Sequence, residues 1–304
     1  MERSKLKKIA PMKVICVLLT ALMLVFSVVG CGTSSDTITI GGKNFTEQNI
    51  LVYLMADLLE AKTNLKVITK PNLGGTMVVS EALDRGDIDL YAEYTGTALT
   101  VQLKQPPMTD PQAVYDKVKA EYESQKHLTW LKPFGFNNTY TLTMRKSEAE
   151  KYGIKTISDL VKYAPKMTLV CEQEFLERPD GYPGLEKAYG LHFKSTKGMD
   201  AGLTYAAVQS GKADLNDGFS TDGRIAAFNL VSLIDNKHFF PPYYAAPVVR
   251  DDTLKKHPEI ATTLNLLAGK ITNETMQELN KEVDVDKQDP KDVAKAWLKS
   301  QGLI

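Results

Sequence analysis

Arg85-Gly86-Asp87-Ile88-Asp89-Leu90-Tyr91-Ala92-Glu93-Tyr94-Thr95 returns 125 residues later as Ser210-Gly211-Lys212-Ala213-Asp214-Leu215-Asn216-Asp217-Gly218-Phe219-Ser220. Each copy follows an amphipathic stretch at helical spacing, residues 77–84 in the first and 203–209 in the second. Each continues with a glycine suited to end a helix, a short strand, and an aromatic residue eight positions past that glycine. The repeat predicts two similar lobes. In open α/β sheets, ligands bind beyond the carboxyl ends of the strands. Tyr94 and Phe219 stand just past two such ends, so lobes that face each other would put both rings in a shared cleft. The same spacing also fits two core residues capping their sheets, and spacing alone leaves both readings open.

Outward from the first copy, the pattern alternates strand and helix. Thr37-Ile38-Thr39-Ile40 is a β-branched run closed by Gly41-Gly42. Asn44-Phe45-Thr46-Glu47 has the spacing of a capping box, and Ile50, Leu51, Leu54, Met55 and Leu58 then recur at helical spacing. Val67-Ile68 reads as the next strand, and Ile88-Asp89-Leu90-Tyr91 as the one after. Such alternation predicts α/β lobes with a mainly parallel sheet. The alternating run 138–144 is read as crossing from the first lobe to the second, and 244–249 as crossing back. This divides the chain into lobe I, 37–142 plus 248–304, and lobe II, 143–247, joined by a two-strand hinge of the kind that closes around a ligand. The tail beyond Asp251 reads as helices.

The 304 residues are 43% hydrophobic and 24% charged, the balance of a globular protein. The zero formal charge is unevenly spread, because residues 1–30 carry Arg3, Lys5, Lys7, Lys8 and Lys13 against Glu2 alone. The remainder is therefore mildly acidic, which is no footprint for nucleic acid. That basic head leads into an uncharged run, 14–29, and then Gly30-Cys31. Head, apolar middle and small-residue exit make a secretory signal over 1–30, and its 16-residue apolar run is short of the roughly 20 residues a membrane span needs. Cys31 stands where bacterial lipoproteins carry their lipid, which predicts a signal cut before it, a lipid anchor in the membrane, and a tether over 31–36. The protein is then expected on the outer face of the bacterial cytoplasmic membrane. With Cys16 in the signal and Cys31 acylated, Cys171 has no partner, so no internal disulfide is expected.

Motifs for catalysis are absent. The four histidines, His127, His192, His238 and His257, are scattered, and no G-x-S-x-G, H-E-x-x-H, C-x-x-C or P-loop pattern occurs. No cofactor and no metal is expected, and the chain does not read as an enzyme. The acids of 172–174 are assigned to a solvated face.

Five motifs, taken together, carry a resemblance over residues 37–304. They are Gly41-Gly42-Lys43-Asn44-Phe45-Thr46-Glu47-Gln48, the stretch from Gly86 to Thr97, Asn137-Asn138-Thr139-Tyr140, Ser220-Thr221-Asp222-Gly223-Arg224, and Phe239-Phe240-Pro241-Pro242-Tyr243. The chain resembles the substrate-binding proteins of ABC importers for glycine betaine, carnitine and choline. The resemblance implies an α/β, two-lobed periplasmic-binding-protein fold of type II, acting as a monomer with an ABC permease and its ATPase. It implies a ligand with a quaternary ammonium group, such as glycine betaine, proline betaine or carnitine, taken up as an osmoprotectant. Choline, ergothioneine and a sensor role without transport stand as alternatives. Carried over by position, the cation cage is Tyr94, Tyr140, Phe219 and Tyr243, with phenylalanine where the related proteins have tyrosine. Lys43, Thr97 and Arg178 fall where relatives hold a carboxylate, and Asn44, Glu93 and Asn138 are further candidate contacts. The physics suits such a cage. A trimethylammonium group has no N–H to donate and no proton to lose, so ring faces select it, at about 0.5–2 kcal/mol each when desolvated.

Overall fold

The computed structural model describes residues 36–304. The signal segment, Cys31 and most of the tether lie outside the described residues. Among the described residues, ten strands form two five-stranded sheets. The first holds β1 (Thr37–Gly41), β2 (Lys66–Lys70), β3 (Leu90–Tyr94), β4 (Leu128–Trp130) and β10 (Ala245–Arg250), in the order β2-β1-β3-β10-β4. The second holds β5 (Tyr140–Arg145), β6 (Thr168–Cys171), β7 (Ser195–Gly198), β8 (Leu215–Phe219) and β9 (Leu230–Ser232), in the order β7-β6-β8-β5-β9.

The sequence repeat occupies the centre of both sheets. β3 and β8 each take a parallel neighbour on one side, β1 or β6, and an antiparallel neighbour on the other, β10 or β5. Each follows a helix, α2 (Thr76–Arg85) or α4 (Ala201–Gln209), through a glycine at positive φ, Gly86 at 80° and Gly211 at 75°. That left-handed turn costs other residues about 1–2 kcal/mol, which accounts for glycine in both copies. The aspartate three positions past each glycine has one job twice over. Asp89 Oδ2 accepts from the Thr39 amide at 2.7 Å, and Asp214 Oδ2 from the Thr168 amide at 2.7 Å, pinning the neighbouring strand. The strand of the first copy begins at Leu90, later than Ile88, and Asp89 Oδ1 also accepts from Thr253 Oγ1 at 2.9 Å.

The antiparallel neighbours exchange places between the sheets. β5 lies wholly in the second sheet and β10 wholly in the first, so the runs read as crossings are in-sheet strands over most of their length. The crossings are the short segments just before them, and these bridge each other at Asn137 and Tyr244. Asn137 Oδ1 accepts from the Tyr243 amide at 2.6 Å, and the Asn138 amide donates to the Tyr243 carbonyl at 3.1 Å.

The helix α1 (Thr46–Lys62) buries Ile50, Leu51, Leu54, Met55 and Leu58 as its spacing predicts. Its start is not a capping box. Phe45 is the cap residue, no side chain caps the helix, and the Glu47 carboxylate turns inward to other partners. Further on come α3 (Pro111–Lys126) and, after β10, α5 (Asn273–Asp284) and α6 (Pro290–Ser300). Helices α5 and α6 both pack on α1 and enclose its apolar face, with Met276, Leu279, Val293 and Trp297 in the shared core. Cys171 ends β6 as a buried thiol, and burial pushes it up, out of the range of a reactive thiolate.

Candidate functional site

The central strands end at one cavity. It encloses about 290 Å³. Tyr94 is the last residue of β3, Phe219 the last of β8, and Tyr140, the first of β5, pairs across from Phe219. Tyr243 precedes β10, whose Ala245 pairs with Tyr94. All four rings line the cavity, as do Lys43, Asn44, Thr97, Asn138 and Arg178. Glu93 alone of the candidates stands behind the wall, where its Oε1 takes the Lys43 ammonium at 2.6 Å.

The rings form a connected set. Tyr140 lies 5.1 Å from Phe219 between centroids and meets Tyr243 edge-on at 5.5 Å and 88°. Phe45, which sequence reasoning missed, completes the arc, stacking on Phe219 at 5.7 Å and on Tyr94 at 6.2 Å. It sits inside the Gly41–Gln48 motif as the cap residue immediately before α1, with its ring on the cavity wall. Tyr94 and Tyr243 also anchor their hydroxyls on buried carboxylates, Tyr94 on Glu47 and Tyr243 on Asp180, both at 2.7 Å.

The cationic groups at the cavity are paired. Lys43 Nζ gives one donor to Glu93, one to Thr76 Oγ1 at 3.1 Å, and lies 5.2 Å from the Tyr94 ring centroid. An ammonium has three donors, so one remains. Arg178 forks onto Asp180 through Nε at 2.9 Å and Nη2 at 2.7 Å, and Nη2 also reaches Thr97 Oγ1 at 3.0 Å. Its guanidinium carbon lies 5.3 Å from the Tyr140 ring centroid, and Nη1 is 3.9 Å from Glu174. Desolvation works against the charge of Arg178, but Tyr140 and Asp180 outweigh it and hold the guanidinium firmly protonated. Conversely, Arg178 outweighs burial at Asp180 and holds that carboxyl below its usual range. Thr97 belongs to the turn after β3, and Arg178 to the segment after β6, so this bond joins the sides of the two sheets. Glu174 makes a second join, accepting from the Thr76 amide at the start of α2 at 2.6 Å.

Glu172 and Glu174 also line the cavity, which corrects their assignment to a solvated face. The rule that placed Tyr94 and Phe219 applies equally to β6, whose carboxyl end is followed at once by Glu172. Burial, with Glu174 next, pushes the Glu172 carboxyl up to about 7, against Arg178, Lys43 and Arg224, which pull it down. Asp217, whose carboxylate receives the Glu172 amide at 3.1 Å, is raised by burial and by Glu172 itself. A raised folded value binds protons more tightly than the unfolded chain. The unliganded protein should therefore lose stability as pH rises from about 4.5 to about 7. A cation in the cavity favours the ionised acid, so its binding should strengthen over the same window and release protons. Titration calorimetry in buffers of different ionisation enthalpy reads that release directly, and affinity flat from pH 5 to pH 8, about one unit beyond the window, would contradict it.

Two α/β sheets joined by two short crossings, with an aromatic cavity beyond their central strands, define a two-lobed binding protein of the periplasmic type. The chain belongs to the family described as the substrate binding domain of ABC-type glycine betaine transport systems, whose model matches residues 36–300. It is 41% identical over 275 residues to the carnitine transport binding protein OpuCC of Listeria monocytogenes serotype 1/2a (strain 10403S), covering 90% of this chain and 89% of that one. It is 42% identical over 267 residues to the ergothioneine transport permease/ergothioneine binding protein EgtU of Helicobacter pylori (strain G27), covering 88% of this chain and 48% of that one. A crystal structure described as a glycine betaine/carnitine/choline ABC transporter superposes with a TM-score of 0.72 at 36% identity, over 88% of this chain and 99% of that one.

Proposed function

We propose that this protein captures a small quaternary ammonium zwitterion, of the glycine betaine, proline betaine or carnitine kind, and delivers it to an ABC permease driven by an ATPase. One observation carries the reading. Five aromatic rings and the donors of Lys43, Thr97 and Arg178 line the same cavity. The rings of Tyr94, Tyr140, Phe219 and Tyr243 take the cation, and the remaining Lys43 and Arg178 donors take the carboxylate. Asn44 and Asn138 lie on the wall as further contacts, and Glu93 holds Lys43 in place. Choline has no carboxylate and leaves those donors unpaired, which weakens it. No step of covalent chemistry is assigned to the site. The two sheets belong to two lobes that part and close over the ligand, with the bonds from Arg178 to Thr97 and from Glu174 to Thr76 made on closure. The same reading places the protein as a monomer on the outer face of the membrane, held through a lipid on Cys31 after removal of residues 1–30.

Ergothioneine is the second reading. It rests on Glu172, which offers an acceptor to a ring N–H that glycine betaine lacks, and on the 42% identity to EgtU. A thermal-shift panel with glycine betaine, proline betaine, L-carnitine, choline and ergothioneine separates the two. Ligand at about a hundred times its dissociation constant should stabilise the protein by about 2.7 kcal/mol. A shift with a carboxylated aliphatic betaine, and less with choline, supports the first reading. A shift with ergothioneine alone supports the second, and no shift with any of the five removes both.

A further inference from the structure

Glu47 stands behind the cage on the first turn of α1, with 2% of its surface exposed. Its Oε1 accepts from the Tyr94 hydroxyl at 2.7 Å and from Asn138 Nδ2 at 2.8 Å. Its Oε2 accepts from Thr221 Oγ1 at 2.6 Å and from Asn280 Nδ2 at 3.2 Å. These donors come from four separate parts of the chain: the end of β3, the first crossing, the loop after β8, and α5. Four donors on two oxygens are the surroundings of an ionised carboxylate. Burial pushes its proton affinity above that of an ordinary carboxylate, and the four hydrogen bonds offset part of that rise. No lysine or arginine among the described residues forms an ion pair with it.

A buried, unpaired negative charge is costly, and glutamine would fill the same space without it. The charge therefore calls for a use, and Tyr94 supplies one. Lys43 lies 5.2 Å from the Tyr94 ring centroid, while the hydroxyl of that ring donates to Glu47 and accepts from Gln48 Nε2 at 3.1 Å. A phenol donating to a carboxylate gains electron density on its ring, and the negative ring face is what attracts a cation. A negative charge behind the ring adds directly to that field in a low-dielectric site.

Resting on the cation-cage reading above, we propose that Glu47 is a positioning residue that sets the preference of the cage for permanent positive charge, by fixing Tyr94 and by placing a negative charge behind its ring. The test compares each cation with a neutral isostere in which carbon replaces nitrogen. The pairs are glycine betaine with 3,3-dimethylbutanoate, and L-carnitine with 3-hydroxy-5,5-dimethylhexanoate. Glu47→Gln in the full chain should lower the preference for cation over isostere by about tenfold, through weaker binding of the cation. Equal weakening of both members of a pair shows Glu47 to be structural only and overturns the proposal. If Glu47→Gln fails to fold, Tyr94→Phe keeps the ring and removes its link to Glu47, and an unchanged preference in that variant overturns the proposal equally. A wild-type protein that binds none of glycine betaine, L-carnitine and ergothioneine fails at an earlier point, because it removes the cation-cage reading and this inference with it.

Discussion

Replacing Arg178 with alanine should weaken ligand binding by about a hundredfold or more. The residue does three things at once in the cavity. It neutralises Asp180, bridges to Thr97, and lies beside the Tyr140 ring. Removing it leaves Asp180, itself buried, with the Tyr243 hydroxyl as a remaining partner and no cation. Breaking one side of a buried pair costs about 3–5 kcal/mol, and every 1.4 kcal/mol is about tenfold in affinity. Asp180 is 2% exposed, so the stranded carboxylate stays dry. A second substitution therefore discriminates. Adding Asp180→Asn to Arg178→Ala removes the stranded charge and should recover part of the loss, measured by titration of both variants with L-carnitine. An Arg178→Ala variant that binds as tightly as wild type would remove the residue from the carboxylate end of the site.

Tyr140→Leu should raise the dissociation constant about thirtyfold. Leucine keeps apolar bulk at the centre of the aromatic set and removes only the ring face, worth about 2 kcal/mol when desolvated. Tyr140 makes ring contacts with Phe175, Phe219, Phe240 and Tyr243, so some stability is lost too, and the variant is compared at a temperature where it remains folded. Tyr140→Phe keeps the π face and should bind within about threefold of wild type. If leucine and phenylalanine behave alike, the ring face at this position contributes nothing, and Tyr140 is a packing residue.

The architecture was readable because a local signal repeats. The helix–glycine–strand unit needs only its own residues, and its two copies became the central strands of the two sheets. Tyr94 and Phe219 could be placed at strand ends from spacing, since each strand is short and follows closely on the glycine that ends the helix before it. Other features depend on partners far away in the chain. Glu47 has the spacing of a helix cap, but its donors Tyr94, Asn138, Thr221 and Asn280 lie 47 to 233 positions away, and no local pattern announces them. Glu172 and Glu174 look like a surface run because charge near a strand end is usually solvated. Here the strand end opens on the cavity. Phe45 was hidden for the opposite reason, since an aromatic before an amphipathic helix is an ordinary core residue until its neighbours are known. The runs 138–144 and 244–249 are in-sheet strands over most of their length, because an alternating run records that a strand exists, and not which sheet receives it.

Calorimetric titration of the purified protein with L-carnitine, glycine betaine and ergothioneine tests most directly whether the aromatic cavity holds a quaternary ammonium ligand. Saturable binding of at least one of the three is expected, with a dissociation constant of about 10 µM or tighter, weakened by Tyr140→Leu and spared by Tyr140→Phe. No saturable binding of any of the three at concentrations of about 10 mM would contradict it.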